Sequence, residues 1–349
     1  MKIKSTKGGF QVHNPDISKE LPPIKVVGEK RVLARITDNN KKCAPGVEKD
    51  NISCFTLNQI KYIVDAYNQT YPENMIKLSR GAEASNSKEY KKYLITELNK
   101  RFEKVCNYDQ QCLLNQDFIE KIDKKVLVEL VNDTFRPEGP KTGNKWLNTL
   151  NIEEVMGQYT NNSPNLKLLK GGINMNYGES KKHNDFIFLG AVPIDFDDEK
   201  VGKIDPRCKF IQEITNNYDN LKKLYDMNIY KLGIIFNLDK HNQSGSHWVA
   251  CYADLKAGCI YYFDSYGIRP PQLIQKYIRK LGRFIKDVLG NNNCIIDYNS
   301  FRHQYENSEC GVYSLFFIIF LLLGNNFNDL NSVHTPDGEI NKFREFLFS

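Results

Sequence analysis

Two apolar runs, Trp248–Ala253 and Cys259–Phe263, are joined by the short connection Asp254–Gly258. A link this short between two strand-like runs permits little but an antiparallel hairpin. Antiparallel pairing sets the start of one strand beside the end of the other. His247 stands just before the first run and Asp264 just after the second, so the pairing brings them together. Asp254 lies at the opposite end, in the turn, and is excluded as a partner for His247.

The surrounding pattern extends the hairpin into a sheet. Further apolar, strand-like runs occur at Phe186–Val192, Lys231–Asn237 and Cys294–Tyr298. Helical spacing predicts helices over about Asn151–Tyr159, Phe210–Met227, Pro271–Leu289 and Cys310–Leu323. Strands and helices mixed in this irregular order argue an α+β domain around a central sheet. No internal repeat interrupts the pattern.

The first part of the chain has a different texture. Residues 1–50 read as an extended arm, with short strands around Lys25–Ile36. Thr56 and Gln59 form a capping-box pair, in which each side chain satisfies the other's backbone donor. Leu57, Ile60, Ile63, Val64 and Tyr67 follow at helical spacing. A second helix is expected over Ser87–Cys106, with Tyr90, Leu94, Leu98, Phe102 and Val105 on one face, and a third over Asp117–Val131. This gives a mainly helical domain over 51–134. The turn-rich stretch Phe135–Gly143 closes it, and a second domain follows over 145–349.

With 41% apolar and 12% aromatic residues the chain can bury a substantial core. Its net charge of +6 is too small to argue nucleic-acid binding by itself. The longest apolar run, Leu315–Leu323, is far shorter than the ~20 residues a membrane span needs, so it reads as a buried helix. The start Met1-Lys2-Ile3-Lys4-Ser5 lacks the apolar segment of a secretory signal. The nine cysteines include no CxxC pair and fit no zinc pattern. They are expected to be mostly small buried apolar residues in a reducing, intracellular setting. Neither a metal nor a cofactor is expected.

Cys310 stands where the polar loop Tyr305–Glu309 enters the apolar helix. A helix N-terminus stabilises a thiolate through its dipole and free amides, and the thiolate is the nucleophile. His247, anchored by a strand, could take the thiol proton and return it to a leaving amine. Asp264 could hold the imidazole tautomer. Gln304 and the Cys310 amide could donate to an oxyanion. His, Asp, Gln and Cys in this order point to a cysteine-nucleophile hydrolase. His13, His183, His241, His303 and His334 read as surface or internally satisfied residues.

At these residues the chain resembles the adenain-like cysteine proteases. This group includes the SUMO proteases, the adenovirus maturation protease and the polyprotein protease of African swine fever virus. The resemblance rests on Gly245-Ser246-His247-Trp248-Val249-Ala250, Tyr262-Phe263-Asp264-Ser265, and Arg302-His303-Gln304 through Cys310-Gly311-Val312-Tyr313-Ser314-Leu315. It is closest to the large-DNA-virus branch. It implies a central mixed sheet flanked by helices, a catalytic set of His247, Asp264, Gln304 and Cys310, and a cleft that admits only glycine beside the scissile bond. Trp248 would roof that cleft. Trp146, in Trp146-Leu147-Asn148, would help form it, and Gly311 would allow close approach.

The resemblance further implies cleavage after Gly-Gly in viral structural polyprotein, with activity in the virion and host cytoplasm. The alternative is a deubiquitinase or SUMO isopeptidase. Acetyl transfer ranks lower, and a catalytically dead binding module would not keep all four residues. Lys7-Gly8-Gly9-Phe10 and Lys170-Gly171-Gly172-Ile173 read either as turn glycines or as self-cleavage sites. Because adenovirus protease uses DNA as a partner, the stripe Lys276, Arg279, Lys280, Arg283 and Lys286 is read either as a nucleic-acid contact or as a solvated helix face.

Overall fold

The computed structural model describes residues 43–45, 52–78, 87–143, 145–160 and 183–349. Most of the arm, including the strands expected around Lys25–Ile36, and both Gly-Gly segments lie outside the described residues.

Five strands form one mixed sheet: β1 (Phe186–Pro193), β2 (Lys231–Asn237), β3 (Trp248–Asp254), β4 (Cys259–Phe263) and β5 (Ile295–Tyr298), side by side in chain order. β2, β3 and β4 are antiparallel, while β1 and β5 add parallel edges. The chain is thus α+β, as the pattern of runs predicts.

The strands read as nearly continuous apolar runs because the sheet is covered on both faces. Alternation along β3 divides its side chains. Trp248, Ala250 and Tyr252 enter one core, and Val249, Cys251 and Ala253 enter the other. The first core also takes Phe186, Phe188, Ile235 and Phe263 and packs on the helix Cys310–Leu322. Every residue of that helix is buried, which explains why it is apolar all round. Thr149–Gly157 and Asp337–Leu347 complete its enclosure. The second core is covered by Glu199–Ile204, Pro206–Asn216, Tyr218–Asp226 and Gln272–Arg283.

The stretch expected as one helix over Phe210–Met227 is two. Asn217 interrupts it because its side chain accepts from the Asp219 N–H and caps a new helix. Likewise Pro271–Leu289 is an α-helix to Arg283 followed by a π turn over Phe284–Val288.

A separate core joins the helices Leu57–Thr70, Ser87–Cys106 and Lys124–Thr134 through Phe55, Ile60, Ile63, Val64, Tyr67, Leu94, Leu98 and Phe118. The Thr56–Gln59 capping box forms, with Gln59 N–H donating to Thr56 Oγ1 at 3.2 Å and Thr56 N–H to Gln59 Oε1 at 2.7 Å. The helix expected over Asp117–Val131 is instead a 3-10 turn, Asp117–Lys121, and then an α-helix. Val105 does not join the apolar face: it is 67% exposed, while the adjacent Cys106 turns into the core. Four of the cysteines expected as buried thiols are paired, Cys43 with Cys54 and Cys106 with Cys112. Cys208 and Cys251 are the buried free thiols the sequence leads one to expect.

Candidate active site

The β3–β4 register pairs Ala250 with Phe263, so the residues flanking these strand ends converge. His247 Nε2 lies 2.8 Å from Asp264 Oδ1, with both residues buried. Ordinarily Asp264 Oδ1 would be free to turn, but it also accepts the Tyr266 N–H at 2.9 Å. Tyr266 then stacks on the imidazole, with ring centroids 4.7 Å apart. The ring is thereby fixed by a carboxylate at one nitrogen and by an aromatic plane on one face, which leaves Nδ1 as the nitrogen for a reaction partner.

That partner is Cys310. Burial alone would pull the imidazole pKa down, but hydrogen bonds to Asp264 and Cys310 outweigh it and hold His247 up at about 9. The direction of this shift favours the imidazolium, the form that stabilises a neighbouring thiolate. Cys310 is the first residue of its helix, and no side chain caps that terminus. The first-turn amides thus remain available to the sulfur or to an oxyanion.

The loop before Cys310 is clamped from within. The buried Glu309 carboxylate accepts the Ser308 N–H at 2.8 Å, the Ser308 hydroxyl at 2.6 Å and Asn341 Nδ2 at 3.1 Å. Arg344, fully buried, donates from Nη2 to the Ser308 carbonyl at 3.1 Å. The C-terminal helix therefore sets the entry of the cysteine helix, a dependence on distant residues that local pattern does not reveal.

Gln304 is fully buried. Its Oε1 accepts the Ser265 hydroxyl at 2.6 Å, and its Nε2 donates to the Glu306 carbonyl at 2.8 Å. The backbone amides of His303 and Gln304 both donate to the Ser265 carbonyl, tying this loop to the residue after Asp264. One hydrogen of the Gln304 amide group is left over.

A cleft of about 370 Å³ lies on the Trp248 side of the site, lined by Trp146, Leu147, Arg207, Asp239, Gly245 and Trp248 among others; His247, Asp264, Gln304 and Cys310 do not line it. Trp146 is 48% exposed while Trp248 is nearly buried. The Trp248 indole N–H donates to the Leu147 carbonyl at 2.9 Å, which pins both residues to one wall. Gly311 sits beneath them: a Cβ there would meet Leu147 Cβ at 3.0 Å and Trp248 Cδ1 at 3.3 Å. The close approach that this glycine permits is thus made by the protein's own cleft wall. Gly245 takes φ +91° in the turn before His247, a conformation that suits glycine.

Other described histidines are engaged elsewhere. His303 is buried with Nε2 at 2.9 Å from the Leu330 carbonyl, and burial pushes its pKa down to about 4. His241 pairs with Asp195 at 2.7 Å. In the basic stripe, Lys276 and Lys280 both pair with Asp197, at 2.7 and 3.1 Å, so this one carboxylate offsets one of their two charges. No helix among the described residues is long and apolar enough to cross a membrane.

Comparison with known proteins bears on the family and the fold. Residues 214–348 match the family model described as the Ulp1 protease family, C-terminal catalytic domain. A candidate thiol protease of Acanthamoeba polyphaga mimivirus is 35% identical over 88% of this chain and 92% of its own length. A SUMO-1 cysteine protease of African swine fever virus is 34% identical over 33% of this chain and 43% of its own length. The crystal structure of an African swine fever virus protease superposes with a TM-score of 0.55 at 21% identity, covering 91% of this chain and 98% of that one.

Proposed function

We propose, from the premise that this chain belongs to the Ulp1 protease family of cysteine peptidases, that it is an endopeptidase cleaving after Gly-Gly. The observation that carries the reading is the His247–Asp264 contact of 2.8 Å with Cys310 at an uncapped helix start. In this reading Cys310 is the nucleophile, His247 the acid–base group and Asp264 its orienting carboxylate. Gln304 Nε2 and the Cys310 amide are the oxyanion donors.

The Cys310 thiolate attacks the carbonyl carbon of the scissile bond, and the C=O pair moves onto oxygen. The oxyanion is met by the Cys310 N–H and the free hydrogen of Gln304. As the tetrahedral intermediate collapses, the C–N bond breaks and the His247 imidazolium gives its proton to the leaving amine. Water, deprotonated by the now neutral His247, then attacks the thioester and releases the acid and the thiolate.

Glycine on the acyl side is the preference that fits a cleft pinched between Trp146 and Trp248. Viral structural polyprotein is the favoured substrate, supported by likeness to viral proteases along most of the chain. The family name and the African swine fever virus relative's name support a second reading, removal of a ubiquitin-like modifier.

Purified protein offered a Gly-Gly-X peptide, a ubiquitin conjugate and a SUMO conjugate decides between them. Preference for the peptide supports the first reading. Faster cleavage of a conjugate replaces it with the second. Activity surviving Cys310→Ala would sink both.

A further inference from the structure

One charged group beside the site has no role in the chemistry above. The Arg302 guanidinium lies between two aromatic rings, 5.3 Å from the Tyr266 centroid and 4.5 Å from that of Tyr305. Its Nε donates to the Gln304 carbonyl at 2.8 Å. It forms no ion pair among the described residues, and its side chain is exposed, as is Tyr305 at 45%. The Asp337 carboxylate, which braces this loop from the C-terminal helix, is already committed to the Tyr305 and Glu306 amides at 2.8 and 3.0 Å and to the Tyr313 hydroxyl at 3.2 Å. Both Nη atoms are therefore presented to solvent by a rigid frame.

Position gives this group a meaning. In the endopeptidase reading, the cleft bounded by Trp146, Leu147 and Trp248 is assigned to the acyl side of the substrate. The leaving amine must receive its proton from His247, so the chain after the scissile bond departs across the imidazole. Tyr266 covers one face of that imidazole, and Arg302 covers Tyr266. Arg302 is thus a cation without an ion pair among the described residues, one aromatic ring beyond the imidazole.

We propose that Tyr266, Arg302 and Tyr305 form a leaving-side subsite that selects an acidic side chain within the two residues after the scissile bond. A guanidinium held flat by aromatic planes loses little rotamer freedom on binding and can engage a carboxylate with two parallel N–H donors. The subsite rests on the endopeptidase reading above, and deepens it by naming part of the substrate.

The test uses the full chain and paired Gly-Gly-X peptides that differ only by Glu or Gln at the first or second leaving-side position. Wild-type enzyme is expected to show a kcat/KM about threefold higher for Glu at low ionic strength, the size typical of an exposed ion pair, and the advantage should shrink as salt rises. Arg302→Gln should bring the ratio to one, Arg302→Lys should keep part of it, and Arg302→Glu should reverse it. Each readout is a ratio within one enzyme, so a general loss of activity does not disguise the result. Cleavage of both peptides at equal rates by wild type, or an acid preference that survives in Arg302→Gln or is indifferent to salt, would overturn the subsite alone. Cleavage of neither peptide by wild type would overturn the endopeptidase reading and the subsite with it.

Discussion

Asn299 holds Asp264 by both of its backbone groups: Asn299 Oδ1 accepts the Asp264 N–H at 2.8 Å, and Asn299 Nδ2 donates to the Asp264 carbonyl at 2.7 Å. Asn299 is fully buried, just past the end of β5, so the parallel edge strand fixes the carboxylate that faces His247. Asn299→Ala would leave the buried Asp264 N–H without a partner, at about 1–3 kcal/mol, while the Asp264 carbonyl would keep the Gly267 N–H at 2.7 Å. A lower melting temperature and a reduced kcat are expected together. A variant that melts earlier but turns over normally would show that the clamp serves only stability.

Asp264→Asn keeps the size of the side chain and removes its charge. The His247 proton would lose the partner that holds it, and the tautomer presented to Cys310 would no longer be fixed. A fall in kcat of about ten-thousandfold is expected, by the general behaviour of His–Asp pairs, with KM changed far less. Steady-state kinetics on a Gly-Gly-X peptide measure it. A fall of less than tenfold would remove Asp264 from the mechanism.

The raised His247 pKa gives a pH dependence with a definite sign. A histidine whose folded pKa lies above its ordinary 6.5 contributes stability that is fully present below 6.5 and is lost as pH rises through about 9. Activity that requires the imidazolium beside a thiolate should hold through neutrality and fall as pH passes about 9. In a pH–rate profile of kcat/KM the descending limb should therefore lie near 9. If the rate instead rises through that limb, neutral imidazole is the working form and the ion-pair mechanism is wrong.

Gly311 separates packing from chemistry. In Gly311→Ala the new methyl would press on Leu147 Cβ at 3.0 Å and Trp248 Cδ1 at 3.3 Å, and both side chains are pinned by the Trp248–Leu147 hydrogen bond. Overpacking of this kind costs about 1–3 kcal/mol. The displaced wall narrows the cleft, so KM should rise and kcat should fall while the thiol remains reactive. Iodoacetamide labelling of Cys310 at the wild-type rate, with peptide cleavage impaired, is the expected pair of results. Wild-type cleavage would mean that the wall gives way freely.

How much of this was legible depended on sequence distance. The hairpin needs one short connection, and the nearness of His247 and Asp264 follows from strand pairing alone. All five strands could be read because covered strands are continuous apolar runs. Asn299, Tyr266 and Arg344 escaped notice because each acts on a partner through folding rather than through local pattern: Arg344 reaches Ser308 across 36 residues, and Asn299 reaches Asp264 across 35. The break at Asn217 leaves no signal in the pattern for a different reason. A capping asparagine inside an amphipathic stretch leaves the apolar rhythm intact while it ends one helix and begins another. The cysteine pairs had no legible signal, since spacing does not state which thiols meet.

Those pairs supply a last prediction. Cys43, bonded to Cys54, also forms a β-bridge with Phe135, and the Ala44 N–H donates to the Thr134 carbonyl at 2.9 Å. Gln158 Nε2 then donates to the Phe135 carbonyl at 2.6 Å, which links the bridged segment to the side of the chain that holds the site. The Cys43–Cys54 link closes a loop of sequence separation 11 and should contribute roughly 2–3 kcal/mol by restricting the unfolded chain. Cys43→Ser is expected to lower the melting temperature of the N-terminal helices and to leave the His247–Asp264 contact in place, because the helical core shares no buried residue with the core behind Cys310. Short-peptide cleavage should therefore survive the substitution at temperatures below the new melt. Loss of peptide cleavage with the melt unchanged would instead show that the bridge acts on the site through Phe135 and Gln158.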